Sequence, residues 1–447
     1  MFHIIPLFSV FCKYLLFSVS PVAIVPKLCY NPHLVRVTHQ MKKQERTVHM
    51  AAHHPGTAGS AALHGWHVPQ LHLHWGPLEK LVSFFRKNVV MSVALAAAIL
   101  TTLAVPVDAQ YLGYFDLKTL SCLFCVLAVV CALKDVQFFY ILAGKIVRCF
   151  KNARLSVLAL LYITFIGSML IANDMALLTF LPLGYFVLST TGKEKYMAFT
   201  FIMQNIAANL GGMLTPFGNP QNLYLYTKFN IPNLEFMAIM APPFLVAVAL
   251  ITVCCLIFVK AEPLQVAEET VTLPVGRTVL YLALFVLSIA IVFRGIPYWI
   301  GLIIIPLVLF FADRHALKMV DYPLLLTFVF FFVFAGNMAR IDGVRWAFSA
   351  LMERSALLFS VLSCQCISNV PSAILLSQFT GNYADLLVGV NIGGVGTLIA
   401  SLASLITFSQ YTRHNPGKTG YYVKMFSAFN FGFLFLLTAF MLLLKLV

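Results

Sequence analysis

The stretch ANLGGMLTPFGNPQNLYLY, residues 208–226, decides how the rest of the chain is read. It holds three glycines, two prolines, a glutamine and three asparagines, yet it lies in a run from Tyr196 to Thr227 without one charged residue. The run is long and apolar enough for a membrane-spanning helix, which needs roughly 17–25 residues. The break in its middle is the anomaly. Backbone within hydrocarbon must satisfy its own hydrogen bonds, so a non-helical stretch survives there only if it lines a cavity or is buried in protein. Gly211 and Gly212 permit close approach of another segment, and Pro216 and Pro220 end the helix by removing donors. Asn219, Gln221 and Asn222 are then left to line a cavity.

Composition points the same way. The 447 residues are 60% hydrophobic and 10% charged, where soluble domains run near 45–50% and about 25%. Charge-free runs place crossings at 89–106, 117–133, 197–225, 236–259, 278–293, 297–312, 322–337, 385–408 and 425–445. Two further apolar runs, 155–191 and 355–382, are cut at Asn173-Asp174 and at Asn369-Val370-Pro371. Lys151 and Arg154 precede the first of these and Lys193 and Lys195 follow it. By the positive-inside tendency both its ends prefer the cytoplasmic face, which predicts a re-entrant hairpin and not a crossing. The net charge of +14 is therefore a topology signal, and no nucleic-acid partner is expected. The ten cysteines, mostly within apolar runs, read as small apolar side chains, and no metal site is expected. Ten of the twelve histidines fall between His3 and His74, and residues 1–80 read as a disordered or non-native leader.

The chain also repeats itself. When VNIGGVGTLIASLASL (390–405) is set beneath residues 208–223, Asn209 meets Asn391, Gly211 and Gly212 meet Gly393 and Gly394, and Thr215 meets Thr397. Gly218 falls on Ala400, Asn219 on Ser401 and Asn222 on Ser404. Each copy follows one of the cut runs, and the crossing count sends the first copy outward and the second inward. The predicted fold is an all-α polytopic membrane protein with inverted-topology repeats, two re-entrant hairpins and two unwound transmembrane helices. Its parts are a first repeat over 81–260 (hairpin 155–191), a linker and extra helix over 261–296, and a second repeat over 297–447 (hairpin 355–382).

Inverted repeats with helices broken near the midplane are the usual construction of secondary transporters, where unwound carbonyls hold a cation and freed helix N-termini face anionic groups. The tips read likewise: Asn369 as a capping amide before Val370-Pro371, and even the shorter arms, of about 13 residues, spanning ~20 Å, past the midplane. Asp174 is the only acid between Asp135 and Glu194. A carboxylate at the bilayer centre costs ~3 kcal/mol on insertion scales, which marks it as functional unless it merely caps the second arm.

The paired tips, IANDMALLTFLP and CISNVPSAILL, together with the paired Asn-x-Gly-Gly segments, resemble the ion transporter superfamily over about 89–447. That group includes the citrate-transporter-like permeases, the divalent anion/sodium symporters, the sodium/proton antiporters and the arsenical pump membrane proteins. Dicarboxylate symporters of this group carry Ser-Asn-Thr at each tip. Here the tips are Ala172-Asn173-Asp174 and Ser368-Asn369-Val370, so both asparagines carry over and three of four hydroxyls do not. The Ala-Asn-Asp form is closer to the arsenical and antiporter branches. The resemblance implies a homodimer working by an elevator motion.

The expectation is a secondary active transporter for a small anion, carboxylate or oxyanion, coupled to H+ or Na+, in the plasma (inner) membrane. Arsenite or antimonite efflux and Na+/H+ antiport are the alternatives within the class, and an ion channel is the alternative outside it. The candidate substrate- or ion-binding residues are Asn173, Asp174, Asn209, Gly211, Gly212, Thr215, Gly218, Asn219, Asn222, Ser368, Asn369, Asn391, Gly393, Gly394, Thr397 and Ser401, with Na+ placed near Asn173, Asp174 and Asn369. No H-E-x-x-H, G-x-S-x-G or Walker loop occurs, so no enzymatic activity and no organic cofactor are expected. His315 and His414 are placed in loops.

Overall fold

In the computed structural model, residues 76–264 and 273–446 are described. The chain divides into two compact units, of which the larger runs from Val90 onward. Of the smaller, the described part is α1 (Gly76–Lys87), closed by Asn88, whose Nδ2 donates to Phe84 O at 2.9 Å. The expected leader over 1–80, apart from residues 76–80 in α1, lies outside the described residues.

Helix is the only regular structure among the described residues, because a helix satisfies its internal backbone groups without help from water. α2 (Val89–Ala104) opens the larger unit. A first series follows: α3 (Leu117–Asp135), α4 (Phe138–Arg148), the pair α5 (Ala153–Ile171) and α6 (Asn173–Thr190), the interrupted α7 (Met197–Gly211) and α8 (Pro220–Lys228), and α9 (Asn233–Phe258). α10 (Val275–Val292), α11 (Tyr298–Ala312) and the short α12 (Arg314–Met319) pack on α3. A second series has a similar order: α13 (Tyr322–Arg340), the long α14 (Asp342–Ile367) with α15 (Asn369–Leu376), the interrupted α16 (Tyr383–Ile392) and α17 (Leu402–His414), and α18 (Thr419–Leu444). Among the described residues α3, α5, α9, α10, α13, α14 and α18 are long and apolar enough to cross a membrane. The protein is a multi-pass, all-α membrane protein.

The core sits on the interrupted helices. Every residue of α7 is buried, the state of a helix enclosed on all sides. α9 and α11 instead turn large apolar side chains outward, among them Leu245, Ile257, Ile303 and Phe311. The two interrupted helices run in opposite directions. Near the start of α7, Phe201 meets Tyr411 late in α17 with ring centroids 6.3 Å apart, and Asn415 Nδ2 donates to Met197 Sδ at 3.4 Å. At the other end Tyr383, opening α16, donates to Glu235 Oε1 at 2.5 Å, just past the end of α8.

Both ends of the α5–α6 pair meet on one residue, Glu262. Glu262 accepts from Lys193 Nζ at 2.7 Å, Lys195 Nζ at 2.5 Å and Tyr196 Oη at 3.0 Å, all just after α6. Its backbone carbonyl accepts from Ala153 N at 2.8 Å, at the start of α5. In the second series the corresponding contact is aromatic: Phe348, before the kink of α14 at Ser355, packs with its ring centroid 5.1 Å from that of Phe379, beyond α15. The hydrogen bonds from Lys193 and Lys195 hold the Glu262 carboxyl down at about 2, from an ordinary value of 4.5. A depressed carboxyl contributes stability above its unfolded value and loses it only as pH falls through the folded one. The clamp is therefore intact throughout the neutral range. Glu262→Gln should accelerate backbone hydrogen exchange at 151–154 and 193–196 at neutral pH, and unchanged exchange there would mean the clamp holds nothing.

Four local expectations need correction. α7 ends at Gly211, ahead of Pro216, and Pro220 does not end a helix but starts α8, because its missing N–H costs nothing in a first turn. α15 has 8 residues, about 12 Å at 1.5 Å per residue and not the 13-residue arm expected, since the chain turns at Ser377. His315 and His414 lie in α12 and at the last position of α17, not in loops. α4 was not anticipated: its charges, Lys145 and Arg148, interrupt the apolar run while still fitting one helix.

Candidate functional site

Each helix pair turns over through a single non-glycine residue with positive φ. Ala172 has φ 65 and ψ 152, and Ser368 has φ 75 and ψ 161. The following asparagine does the same work at both tips: Asn173 Oδ1 accepts from Asp174 N and Asn369 Oδ1 from Val370 N, each at 2.9 Å. Asn369 therefore holds the next amide from inside the first turn, and Ser368 occupies the cap position expected for it. This backbone region is nearly reserved for glycine and costs other residues of order 1–3 kcal/mol. Ala172→Gly should accordingly raise stability by about 1 kcal/mol, read as a higher melting temperature. A lower one would mean that packing of the Ala172 methyl outweighs the strain.

The breaks in α7–α8 and α16–α17 grip the first arms through matched contacts. A Cβ on Gly211 would overlap the Phe165 carbonyl and lie 2.5 Å from Ser168 Oγ, and one on Gly393 would lie 2.8 Å from Cys364 Cβ and Sγ. Thr215 Oγ1 donates to Met169 O at 2.7 Å, and Thr397 Oγ1 donates to Gln365 O at 3.2 Å. Gln365 further donates to Gly393 O at 2.9 Å and accepts from Thr397 N at 2.9 Å, which ties the second break to its arm. At the first break the tie to the arm is the Thr215 bond, while Asn222 closes the break on itself by donating to Gly212 O at 3.1 Å.

Between the breaks lies a chain of amides. Asn173 Nδ2 donates to Asn209 Oδ1 at 3.2 Å, and Asn219 Nδ2 donates to Asn209 O and to Asn391 Oδ1, both at 3.2 Å. Asn391 Nδ2 donates to Asn222 Oδ1 at 2.6 Å. On the far side Asn209 Nδ2 donates to Asn205 Oδ1 at 3.2 Å, and Asn205 Nδ2 donates to Ser404 Oγ at 3.2 Å and Asn430 Oδ1 at 3.3 Å. A Cβ on Gly394 would lie 3.0 Å from Asn369 Nδ2 and 3.4 Å from Asn209 Oδ1, so the second tip stands beside this chain.

Of the residues singled out from sequence, Asn173, Asn209, Asn219, Asn222, Asn369, Asn391 and Gly394 come together here. Gly211, Gly212, Gly218, Gly393, Thr215 and Thr397 shape the breaks around them, and Ser368 Oγ donates to Ala400 O at 3.2 Å. Ser401 caps α17 by accepting from Ser404 N at 3.3 Å. Asp174 is half-buried inside α6, and its Oδ1 is buried with no partner, so it is not the cap of that arm. Asn205, Gln365, Ser404 and Asn430 were missed as site residues. Their signal was available in the form of amides and hydroxyls within charge-free runs. The four half-helices α6, α8, α15 and α17 all begin around this chain, with α6 packed on α17 and α8 on α15. Their N-termini bring partial positive charge to a place with no Lys or Arg among its bonds.

Outside this region Asp135, Asp313 and His315 bring one ligand atom each within 4.8 Å of one another. Both Asp313 oxygens are already engaged, with Ala316 N at 3.0 Å and Tyr281 Oη at 3.1 Å, so the group reads as a helix cap beside a hydrogen bond between His315 Nδ1 and Asp135 Oδ1 at 3.1 Å.

Breaks of this kind, enclosed in a bundle of membrane-spanning helices, are the construction that membrane transporters use around their sites. The sequence pattern of the citrate transporter family matches residues 78–388, and the chain belongs to that family. It is 34% identical over 292 residues to an uncharacterized transporter of Methanocaldococcus jannaschii, covering 65% of this chain and 80% of that one. It is 29% identical over 275 residues to the inner membrane protein YbiR of Escherichia coli, covering 60% and 73% respectively. The second break and α17 lie beyond the matched residues.

Proposed function

We propose that the protein is a secondary active transporter for a small anion, a carboxylate or oxyanion, coupled to Na+ or H+ and working as a homodimer in the plasma (inner) membrane. One observation carries this reading: four half-helix N-termini meet around a buried amide chain that joins residues 173–222 to residues 391–404. Partial positive charge without a fixed cation suits an anion that must also leave. The citrate transporter family supports the carboxylate, and a relative from an inner membrane supports the location. The two series are read as inverted-topology repeats, with α5–α6 and α14–α15 as re-entrant hairpins that carry the site between faces in an elevator motion. Sodium/proton exchange is the second reading, favoured by the unpartnered carboxylate oxygen of Asp174.

Reconstituted vesicles given citrate, succinate, sulfate or arsenite, with imposed sodium or proton gradients, should accumulate one of the anions. Exchange of Na+ for H+ with no anion uptake would decide for the second reading. The hairpin has its own test. Cysteines replacing Lys151 and Lys193, with the exposed Cys149 and Cys366 changed to Ser, should both react from the cytoplasmic face. Reaction from opposite faces would make α5–α6 two crossings and remove the repeat.

A further inference from the structure

α1 has the residue pattern of a helix that lies on a membrane surface. At 3.6 residues per turn its 12 positions, GPLEKLVSFFRK, separate into two faces. Positions 78, 81, 82, 84 and 85 hold Leu, Leu, Val, Phe and Phe, within an arc of about 160°. Positions 79, 80, 83, 86 and 87 hold Glu, Lys, Ser, Arg and Lys, in an opposite arc of about 120°. The helix is about 18 Å long, too short to cross a hydrocarbon layer of about 30 Å, and its first and last turns both carry charge.

Val82 and Phe84 stand at the two edges of the apolar arc and are 43% and 42% exposed. Arg86 and Lys87 are exposed as well. The helix stops at Asn88, whose backbone N–H reaches Phe84 O at 3.1 Å and Phe85 O at 3.2 Å. Val89 then starts α2, whose 16 residues carry no charge. α1 is thus a separate helix, tethered through one residue to an apolar one. Such a tether holds it at the level of the headgroups, where apolar side chains sink and cations stay in water.

We propose that α1 lies along the cytoplasmic surface of the bilayer, with its apolar arc at the acyl boundary and Arg86 and Lys87 on anionic lipid headgroups. The side follows from the tendency of Lys and Arg to flank a crossing on its cytoplasmic end. The partner follows from charge: the helix sequence carries three cations against one acid, Glu79, and the cytoplasmic leaflet has a negative surface potential. A helix packed on protein with its other face in water needs no such excess. The surface is independent of which anion is carried, and it makes membrane composition a partner of the protein.

The test uses the full chain with Cys12, Cys29, Cys149, Cys254 and Cys366 changed to Ser, carrying a spin label on Val82→Cys, Ser83→Cys, Phe84→Cys or Lys87→Cys. Collisions with oxygen, which concentrates in hydrocarbon, and with a water-soluble nickel chelate report depth. In phosphatidylcholine vesicles containing phosphatidylglycerol, the labels at 82 and 84 should favour oxygen and those at 83 and 87 the chelate. Omitting phosphatidylglycerol, or adding Arg86→Glu and Lys87→Glu, should raise chelate collisions at 82 and 84 roughly fivefold or more, the factor each cation is worth near an anionic surface. The lipid comparison uses one protein throughout, so a folding defect of the charge-reversed variant leaves it standing. Labels at 82 and 84 open to the chelate in the anionic vesicles would overturn the proposal. So would labels there shielded from both reagents, the mark of docking on protein. Depth that ignores both phosphatidylglycerol and the charge reversal would overturn the pairing with headgroups.

Discussion

Replacing Asn391 with Leu is expected to abolish transport and to lower stability by roughly 2–6 kcal/mol, the largest effect of any single substitution in the amide chain. The size follows from what the side chain leaves behind. Gln221 Nε2 loses its one hydrogen bond, to Asn391 Oδ1 at 3.4 Å, and Asn222 Oδ1 loses its donor at 2.6 Å. These are two newly orphaned buried groups at about 1–3 kcal/mol each. Asn219 Nδ2 retains Asn209 O at 3.2 Å and contributes less. The same bonds join residues 170 and 169 positions apart in the chain, so removing Asn391 leaves the Asn205–Ser404 bond as the remaining described link within the amide chain between the two interrupted helices. A double-mutant cycle separates this from general damage. With Gln221→Leu in place, the further loss on Asn391→Leu should be smaller, because one orphan has already been removed. Strict additivity together with retained flux would show that the breaks do not communicate through Asn391.

The order of elements was legible because the membrane leaves few choices. Charge-free runs had to become helices, and the cuts at Asn173-Asp174 and Asn369-Val370-Pro371 begin at the residue after the turnovers at Ala172 and Ser368. The matched Asn-x-Gly-Gly segments became the two breaks because Gly211 and Gly393 face the first arms with no room for a Cβ. Local chemistry was less legible. Proline was taken as the stop signal, but α7 stops at Gly211 because the next residues are drawn off by Asn222, a tertiary contact no window reveals. The short α15 was missed for a similar reason: Ser377 and Gln378 turn the chain and reach Tyr224 of α8 at 2.9 and 3.4 Å. Asn205 and Asn430 could not be distinguished from satisfied core amides until both were seen around Ser404 and Asn209. The sequence pattern named residues that approach each other; which oxygen stays unpartnered is a property of the packed arrangement alone.

Asp174→Asn is expected to retain exchange of substrate across the membrane and to lose uphill accumulation. Asp174 is the sole carboxylate at either tip, in the first turn of α6, with Oδ1 buried and unpartnered. A negative side chain and an anionic substrate drawn to the same helix N-termini repel one another. The repulsion is relieved when Asp174 holds a proton or shares a cation while the anion is bound, which makes occupancy by the two interdependent. Such coupling is reciprocal, so the ion and the anion each raise the other's affinity. Asparagine preserves the shape of the side chain and one acceptor oxygen but removes the charge that enforces the linkage. Binding and exchange, which need no gradient, should therefore persist. With one monovalent ion moved per anion, no net membrane potential and a tenfold ion gradient, the wild type can hold a concentration ratio of about tenfold, equivalent to 1.4 kcal/mol. The variant should fall to a ratio near unity in the same vesicles that still exchange. Full accumulation by Asp174→Asn would assign the coupling charge elsewhere, whereas loss of exchange along with accumulation would place Asp174 in the binding of the anion itself.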